Sequence, residues 1–231
     1  MLFRSLDITP AANQSGGPVT VTVEVSDPGG LKVTRSFNVT VNAVNDPPAA
    51  QNDSGIVLDE DTTATIDVLA NDSDPDGQSL VPTVLTQPSH GTATVNANGT
   101  ISYTPSANYN GLDSFTYRVS DGAATSNTAT VSLTVTAVND VPVAVADSAT
   151  TTEGTSVIII VLANDSDADG QSLTPNIVAQ PSHGSVTVNA NGSLTYAPAS
   201  GYFGSDSFTY AATDGSATSN TVAGNLTVRS E

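Results

Sequence analysis

Apolar and polar positions alternate along this chain in short runs, and turn residues cut the runs. "DSFTYRVSD" (113–121) sets Phe115, Tyr117 and Val119 on one side and Ser114, Thr116 and Arg118 on the other; "TATVSLTVT" (128–136) does the same with Val131, Leu133 and Val135. A period of two predicts strands with one face in a core and one in water. "TATIDVLAN" (63–71) reads likewise through Ala64, Ile66 and Val68. "TATVNANGTISYTP" (92–105) reads as two strands around Asn98-Gly99, a dipeptide that tolerates the positive φ of a tight hairpin turn, and "VTVNANGSLTYAP" repeats the pattern at Asn191-Gly192. Further strands fall near 50–58 and 80–87.

The pattern occurs more than once. Asn71, His90, Tyr103 and Tyr117 recur as Asn164, His183, Tyr196 and Tyr210, each 93 positions on. "AVND" at 43–46 returns at 137–140 with an offset of 94, and "TPAAN" at 9–13 matches "TPSAN" at 104–108 with an offset of 95. A fixed period means copies of one domain. The expected organisation is the C-terminal half of a repeat at 1–44, a complete repeat at 45–138 and another at 139–231. On this reading Met1 is not a biological start. About seven strands per repeat predict an all-β protein of tandem Ig-like (cadherin-like) antiparallel β-sandwich domains. Half a sandwich cannot bury its apolar face, so the sequence is expected to begin inside a domain.

Composition then restricts the partners. The 231 residues hold 23 Asp+Glu against 5 Lys+Arg, a formal net charge of -18, which opposes nucleic acid and anionic membranes. Cations are the natural counterpart. There is no cysteine for disulfides or thiolate metal sites, and no apolar run approaches the roughly 20 residues of a membrane helix.

The acids are not scattered. "NDSDPDGQSL" (71–80) recurs as "NDSDADGQSL" (164–173), placing Asp72, Asp74 and Asp76, then Asp165, Asp167 and Asp169, on alternate positions before a glycine. Carboxylates roughly 5 Å apart repel by about 3 kcal/mol per pair at an effective dielectric near 20. Either the loop is fully solvated or a cation sits in it. Asp72, Asp74, Asp76 and Gly77 match the opening of an EF-hand loop, but its twelfth position is Thr83, or Asn176 in the second copy, instead of a bidentate Glu. A missing carboxylate must then come from elsewhere. The bland alternative is a solvated acidic turn.

Strand counting says where help lies. With the first strand leaving the N-terminal pole and the second returning, the acidic loop sits beside the incoming linker, and the last hairpin, with Asp121 or Asp214, reaches the same pole. A junction would gather Glu60, with Asp61 and Asp113 as further candidates, from the preceding repeat, Asn139 and Asp140 from the linker, and Asp165, Asp167, Asp169 and Asp214 from the next repeat. One repeat earlier the equivalents are Asn45, Asp46, Asp72, Asp74, Asp76 and Asp121. That is enough oxygen for six- to eight-coordinate Ca²⁺. Comparing copies prunes the set: Asp67 becomes Ile160 and Asp61 becomes Gly154, whereas Glu60 aligns with Glu153.

"AVNDPP", "LDEDT", "VLANDSDPDG", "YTPSANYNGLDSFTY" and "SDG", in this order and spacing, resemble the tandem Ig-like or cadherin-like repeats of very large bacterial surface adhesins of the VCBS, tandem-95 and RTX types. The resemblance implies an extracellular or cell-surface protein, Ca²⁺ near the junctions and a role in adhesion or biofilm. Cadherins are similar in drawing junctional Ca²⁺ from an early glutamate, an Asn-Asp linker and an aspartate-rich second loop.

Catalysis finds no support. His90 and His183 stand one per repeat in "QPSHG" and read as turn residues, with no second histidine to share a Zn²⁺. Tyr109, Tyr202 and Phe203 lie in a turn, where they would pin it to the core or form a sugar-stacking platform. Gly224 replaces Val131 in the closing strand of the second copy, which should weaken that edge. Three function classes stay open: a calcium-stiffened spacer made of neighbouring repeats, a module binding polysaccharide or a cell-surface ligand, and a metal-free structural array.

Overall fold

A computed structural model describes residues 6–231; residues 1–5, the start of the expected half repeat, lie outside the described residues. The chain divides into two compact units, Met1–Thr136 and Ala137–Glu231.

In the first unit, β1 (Gly16–Ser26) and β2 (Lys32–Val41) form a two-stranded antiparallel sheet of their own. The register sets Val19 opposite Val39, Val21 opposite Phe37 and Val25 opposite Val33. These pairs share one face, on which Val19, Val25, Val33 and Phe37 are exposed.

Seven strands follow: β3 (Asp53–Asp59), β4 (Ala64–Ile66), β5 (Val81–Thr86), β6 (Gly91–Val95), β7 (Ile101–Pro105), β8 (Gly111–Ser120) and β9 (Ala129–Thr136). They make a four-stranded sheet, β3-β9-β8-β5, facing a three-stranded sheet, β4-β7-β6. The inward residues Phe115, Tyr117, Val119, Val131 and Leu133 of the first sheet share one core with Ile66, Ala93, Ile101 and Tyr103 of the second. Full burial of each such apolar side chain contributes about 1.5–3 kcal/mol.

The second unit repeats this arrangement with β10 (Asp147–Thr152), β11 (Val157–Ile159), β12 (Thr174–Ala179), β13 (Gly184–Val188), β14 (Leu194–Pro198), β15 (Gly204–Thr213) and β16 (Val222–Arg229). Its sheets are β10-β16-β15-β12 and β11-β14-β13.

One pairing departs from a purely antiparallel sandwich: β3 runs parallel to β9, and β10 to β16. Seven strands alternating in direction make the first and last co-directional, so when they become neighbours they must pair parallel. The two first strands also differ. The β3–β9 register slips between Asp53 and Ile56, with Gly55 at φ +78°, whereas β10–β16 pairs without interruption. This single extra residue is a β-bulge. It accounts for the change of repeat offset from 94, at Asp53 and Asp147, to 93, at Glu60 and Glu153.

Three local expectations are corrected. The strand expected over 63–71 stops at Ile66 because its partner β7 begins at Ile101, straight after the 96–100 turn, and beyond Ile66 the chain itself turns, with Ala70 N–H donating to Asp67 O and Asp72 N–H to Leu69 O. The hairpin turn at Asn98-Gly99 places only the glycine at positive φ (+87°), as does Gly192 (+84°) in the second unit. Gly99 N–H donates to Asn96 O and Asn96 N–H to Thr100 O, the wider turn that ends in a left-handed residue. Finally, Gly224 does not leave a gap at an edge. It lies on β16, inside the sheet, and the Phe208 ring occupies the space in which a Cβ would stand.

Candidate cation site at the linker pole

The incoming linker is fastened to the acidic loop in the same way in both units. Ala49 N–H donates to Ser73 O (2.8 Å) and Ser73 N–H to Ala49 O (3.0 Å); Val143 and Ser166 exchange the same pair at 2.8 and 3.0 Å. A side-chain clamp adds to this bridge. Asn127 accepts from Ala50 N–H at 3.1 Å and donates to Ala50 O at 2.8 Å, and Asn220 does both to Ala144 at 3.0 Å. Neither asparagine figured among the candidates from sequence. Their recurrence at an offset of 93 in "SNT" was the available signal.

This strap delivers the Asn-Asp pair of the linker to the loop acids. Asp46 N–H donates to Asp76 Oδ2 at 2.7 Å, and Asp140 N–H to Asp169 Oδ2 at 2.8 Å. Asn45 Nδ2 donates to Asp121 Oδ2 at 2.9 Å, and Asn139 Nδ2 to Asp214 Oδ2 at 2.9 Å. The other oxygen of each hairpin aspartate closes its own turn. Asp121 Oδ1 accepts from Ala123 and Ala124 N–H at 2.7 and 2.6 Å. These donors, Ala124 N–H and then the Asn45 amide, hold the Asp121 carboxyl below its ordinary range; Ala217 N–H and the Asn139 amide do the same for Asp214.

Asp74 is the centre of its loop. Its Oδ1 accepts from Asp76 N–H (2.8 Å) and Gln78 N–H (3.1 Å), with Gly77 at φ +73° letting the chain turn around it. Its Oδ2 is buried and accepts no hydrogen bond; the equivalent Oδ2 of Asp167 is in the same condition. A buried carboxylate oxygen without a donor is costly, and it recurs at the same atom in both repeats. The side chains that the loop, hairpin and linker bring to this pole, Asp76, Asp121, Asn45 and Asp46 in the first repeat, carry oxygen ligands, the chemistry of a hard cation such as Ca²⁺. Among the described residues, however, no three His, Asp or Glu side chains form a group that could hold a metal ion. What each repeat offers a cation is therefore partial: one buried, unpartnered carboxylate oxygen, Asp74 Oδ2 in the first and Asp167 Oδ2 in the second.

The rest of the acidic string serves another centre. Asp72 Oδ1 accepts from Gln51 N–H at 2.8 Å and from the Tyr117 hydroxyl at 3.2 Å, so the structure sets it apart from the linker Asn-Asp contacts. In the second unit the Tyr210 hydroxyl has Asp147 Oδ2 at 2.8 Å, Val145 O at 3.0 Å, Val161 O at 3.1 Å and Asp165 Oδ1 at 3.2 Å. One hydroxyl proton faces several acceptors. Burial pushes the Asp53, Asp72 and Asp147 carboxyls up, while the tyrosine hydroxyls pull the other way.

The remaining candidates are placed as follows. Glu60 is 3% exposed; its N–H donates to Thr136 O, and Asn110 Nδ2 donates to its Oε2 at 3.5 Å. Asp61 Oδ1 accepts from Asn108 N–H at 3.1 Å. Asp113 accepts from Ser89, His90 and Ser114 N–H and from the Tyr103 hydroxyl, so its oxygens are committed to its own repeat. Asp206 does the same in the second repeat: burial pushes its carboxyl up, but Ser207 N–H, the Tyr196 hydroxyl and the His183 and Ser182 N–H groups outweigh that and hold it low. His90 stacks on Tyr109 and His183 on Tyr202, with centroids 4.1 Å apart in each pair. Tyr109 donates to Leu112 O at 2.7 Å and Tyr202 to Ser205 O at 2.5 Å, which pins the turn.

The chain is similar to several solved structures. Protocadherin GammaB4's extracellular domain aligns at a TM-score of 0.50 and 20% identity over 91% of this chain and 38% of its own. The human desmocollin-1 ectodomain aligns at 0.47 and 14% over 92% and 47%, and endo-fucoidan hydrolase MfFcnA4 from glycoside hydrolase family 107 at 0.34 and 21% over 93% and 34%. The chain thus spans about a third to a half of the length of these structures, and the likeness is one of fold. No curated protein matches it. A family profile described as a bacterial Ig domain matches residues 45–134 and again 139–227. By those two matches, which cover most of its length, the chain belongs to the bacterial Ig domain family.

Proposed function

We propose that the chain is a run of non-catalytic spacer repeats of a bacterial cell-surface or secreted adhesin, whose linkers Ca²⁺ fixes at each N-terminal pole. What carries this reading is the pair of buried, donorless oxygens, Asp74 Oδ2 and Asp167 Oδ2, each in a loop that grips the incoming linker. Asp74, Asp76, Asp121, Asn45 and Asp46 would hold the ion in the first repeat, and Asp167, Asp169, Asp214, Asn139 and Asp140 in the second. Bound Ca²⁺ supplies positive charge that offsets carboxylate repulsion and crosslinks loop, hairpin and linker. A linker so fixed no longer swings, which suits a spacer. Glu60 remains a proposed ligand, and Glu60→Gln tests it.

An ion that binds only the folded state at a hundredfold excess over Kd adds about 2.7 kcal/mol. Removing Ca²⁺ with EGTA at constant sodium chloride should then lower the melting temperature by roughly 10 °C. An unchanged melt ends the calcium reading. Small-angle scattering of residues 47–231 tests stiffening separately: calcium should lengthen the mean maximum dimension of the parent but not of Asp140→Ala.

A further inference from the structure

Strands β1 and β2 copy the β8–β9 ladder rung for rung. Each pair from Val19–Val39 to Val23–Arg35 has its counterpart at an offset of 94, from Asp113–Leu133 to Tyr117–Ala129. In β8 and β9 the side chains of this face, Phe115, Tyr117, Ala129 and Val131 among them, are buried in the core shared with β4, β6 and β7. On the same rungs β1–β2 moves the bulk across the ladder. Phe115 opposite Val131 becomes Val21 opposite Phe37, and Tyr117 opposite Ala129 becomes Val23 opposite Arg35. Volume handed to the cross-strand partner is the mark of a face shaped for burial, because a solvent face has no volume to conserve. The water-facing side of β1–β2 is the other one, where Thr20 donates to Asn38, Thr22 and Ser36 share a hydrogen bond and Lys32 pairs with Glu24 at 2.5 Å. Yet on the apolar side Phe37 is 41% and Val25 46% exposed.

We propose that this face docks an acidic N-terminal half of an Ig repeat, built like β3–β7, and that Arg35 pairs with its carboxylates. The first repeat shows the cover that such a face takes, and both repeats show what lies over the rung that Arg35 occupies. The Tyr117 hydroxyl reaches Asp72 Oδ1 at 3.2 Å, and the Tyr210 hydroxyl reaches Asp147 Oδ2 at 2.8 Å and Asp165 Oδ1 at 3.2 Å. On β1–β2 that rung has lost the hydroxyl and gained a guanidinium on the facing strand. A tyrosine serves those acids with a single proton, whereas a guanidinium brings several donors and a full charge. Among the described residues Arg35 is the one charge on its face and makes no ion pair. The charge of the surroundings favours the same partner. Over residues 1–44, Arg4, Lys32 and Arg35 balance Asp7, Glu24 and Asp27, so the whole formal charge of -18 lies on residues 45–231. At 0.15 M salt, charges more than about 8 Å apart are largely screened. An acidic segment is therefore repelled by the rest of the chain and admitted at β1–β2.

The test adds a separate polypeptide of residues 45–110, which carries β3–β7 with Asp53 and Asp72, to the full chain in 0.15 M sodium chloride and EGTA, so that calcium has no part in the result. Both complete repeats of the full chain already hold these strands, and β1–β2 is the face left to take up the probe. Calorimetry should show one-to-one binding, and amide exchange should slow over Val19–Val41 but not over Gly111–Thr136. Phe37→Asp should abolish binding, and Arg35→Glu should weaken it about tenfold or more. A probe with Asp72→Lys should bind the Arg35→Glu chain better than the unaltered probe does, which a hairpin that had merely unfolded would not allow. A parent that binds no probe overturns the proposal. So does binding that protects Gly111–Thr136 instead, binding that Arg35→Glu leaves unchanged, or a charge exchange that restores nothing.

Discussion

Where the first repeat sets Val131 opposite Phe115, the second sets Gly224 opposite Phe208, and both phenylalanines are buried to the same degree. The core thus keeps its packing by moving a ring into the volume of a missing side chain. A glycine in a strand reads as a loss when only the strand is considered; its partner across the ladder decides whether it is one. The same two repeats share the contacts that fasten the linker, from the Asp46–Asp76 and Asp140–Asp169 bonds to the Asn127 and Asn220 clamps, yet differ on the outer face of their second strand. Positions that fasten the linker are repeated, and positions that face solvent are free to diverge.

The largest test of this comparison exchanges the core pair. Gly224→Val would drive a side chain into the Phe208 ring and should destabilise the second repeat by about 3 kcal/mol. Val131→Gly should cost the first repeat about the same through an unfilled cavity and a looser strand. Adding Phe208→Leu to Gly224→Val should recover part of the loss, seen as non-additivity in urea midpoints. Additive effects would mean that ring and glycine are not coupled.

A smaller effect is expected at the pole. Asp74→Asn and Asp167→Asn should each remove most of the calcium-dependent rise in the melting temperature of their own repeat while raising that repeat slightly in EGTA, by about 1 kcal/mol or less, as a repelling charge is lost. Equal responses in the two repeats would support one site design used twice. A calcium response in only one would break the equivalence.

The smallest effect is in pH. Asp53 and Asp147 have carboxyls raised above the ordinary 3.8 by burial. A raised acid binds more protons folded than unfolded, so it weakens the fold as pH climbs from 3.8 through its folded value. In EGTA, stability should rise modestly as pH falls through that window toward 3.8. Asp121 and Asp214, held low, act in the opposite sense and withdraw their contribution only below 3.8. Asp53→Asn with Asp147→Asn should flatten the rise; a slope that persists would assign it to other groups.

Much of this was legible in the chain. Alternation found the strands because each has one buried face, and the fixed offset found the repeats. Parity of strand direction put Asp74, Asp76 and Asp121 near Asn45 and Asp46. What pattern did not give was the division of the acidic string, because Asp72 and Asp74 are two residues apart and it takes the Gln51 N–H and the Tyr117 hydroxyl, from a strand 45 positions on, to draw one of them away. The role of Asn127 was equally hidden, since an asparagine in a polar turn looks like any other until its amide meets a backbone 77 residues earlier.

The parallel pairing of first and last strands has a mechanical consequence. A pull that separates the two ends of a repeat draws β10 and β16 past each other, loading their rungs together in shear instead of opening them one at a time. In the second repeat that ladder runs unbroken from Asp147 to Thr152, whereas in the first it is interrupted beside Gly55. Under tension the first repeat should yield before the second, so that a chain built to hold something at a distance would carry a weaker link of defined position.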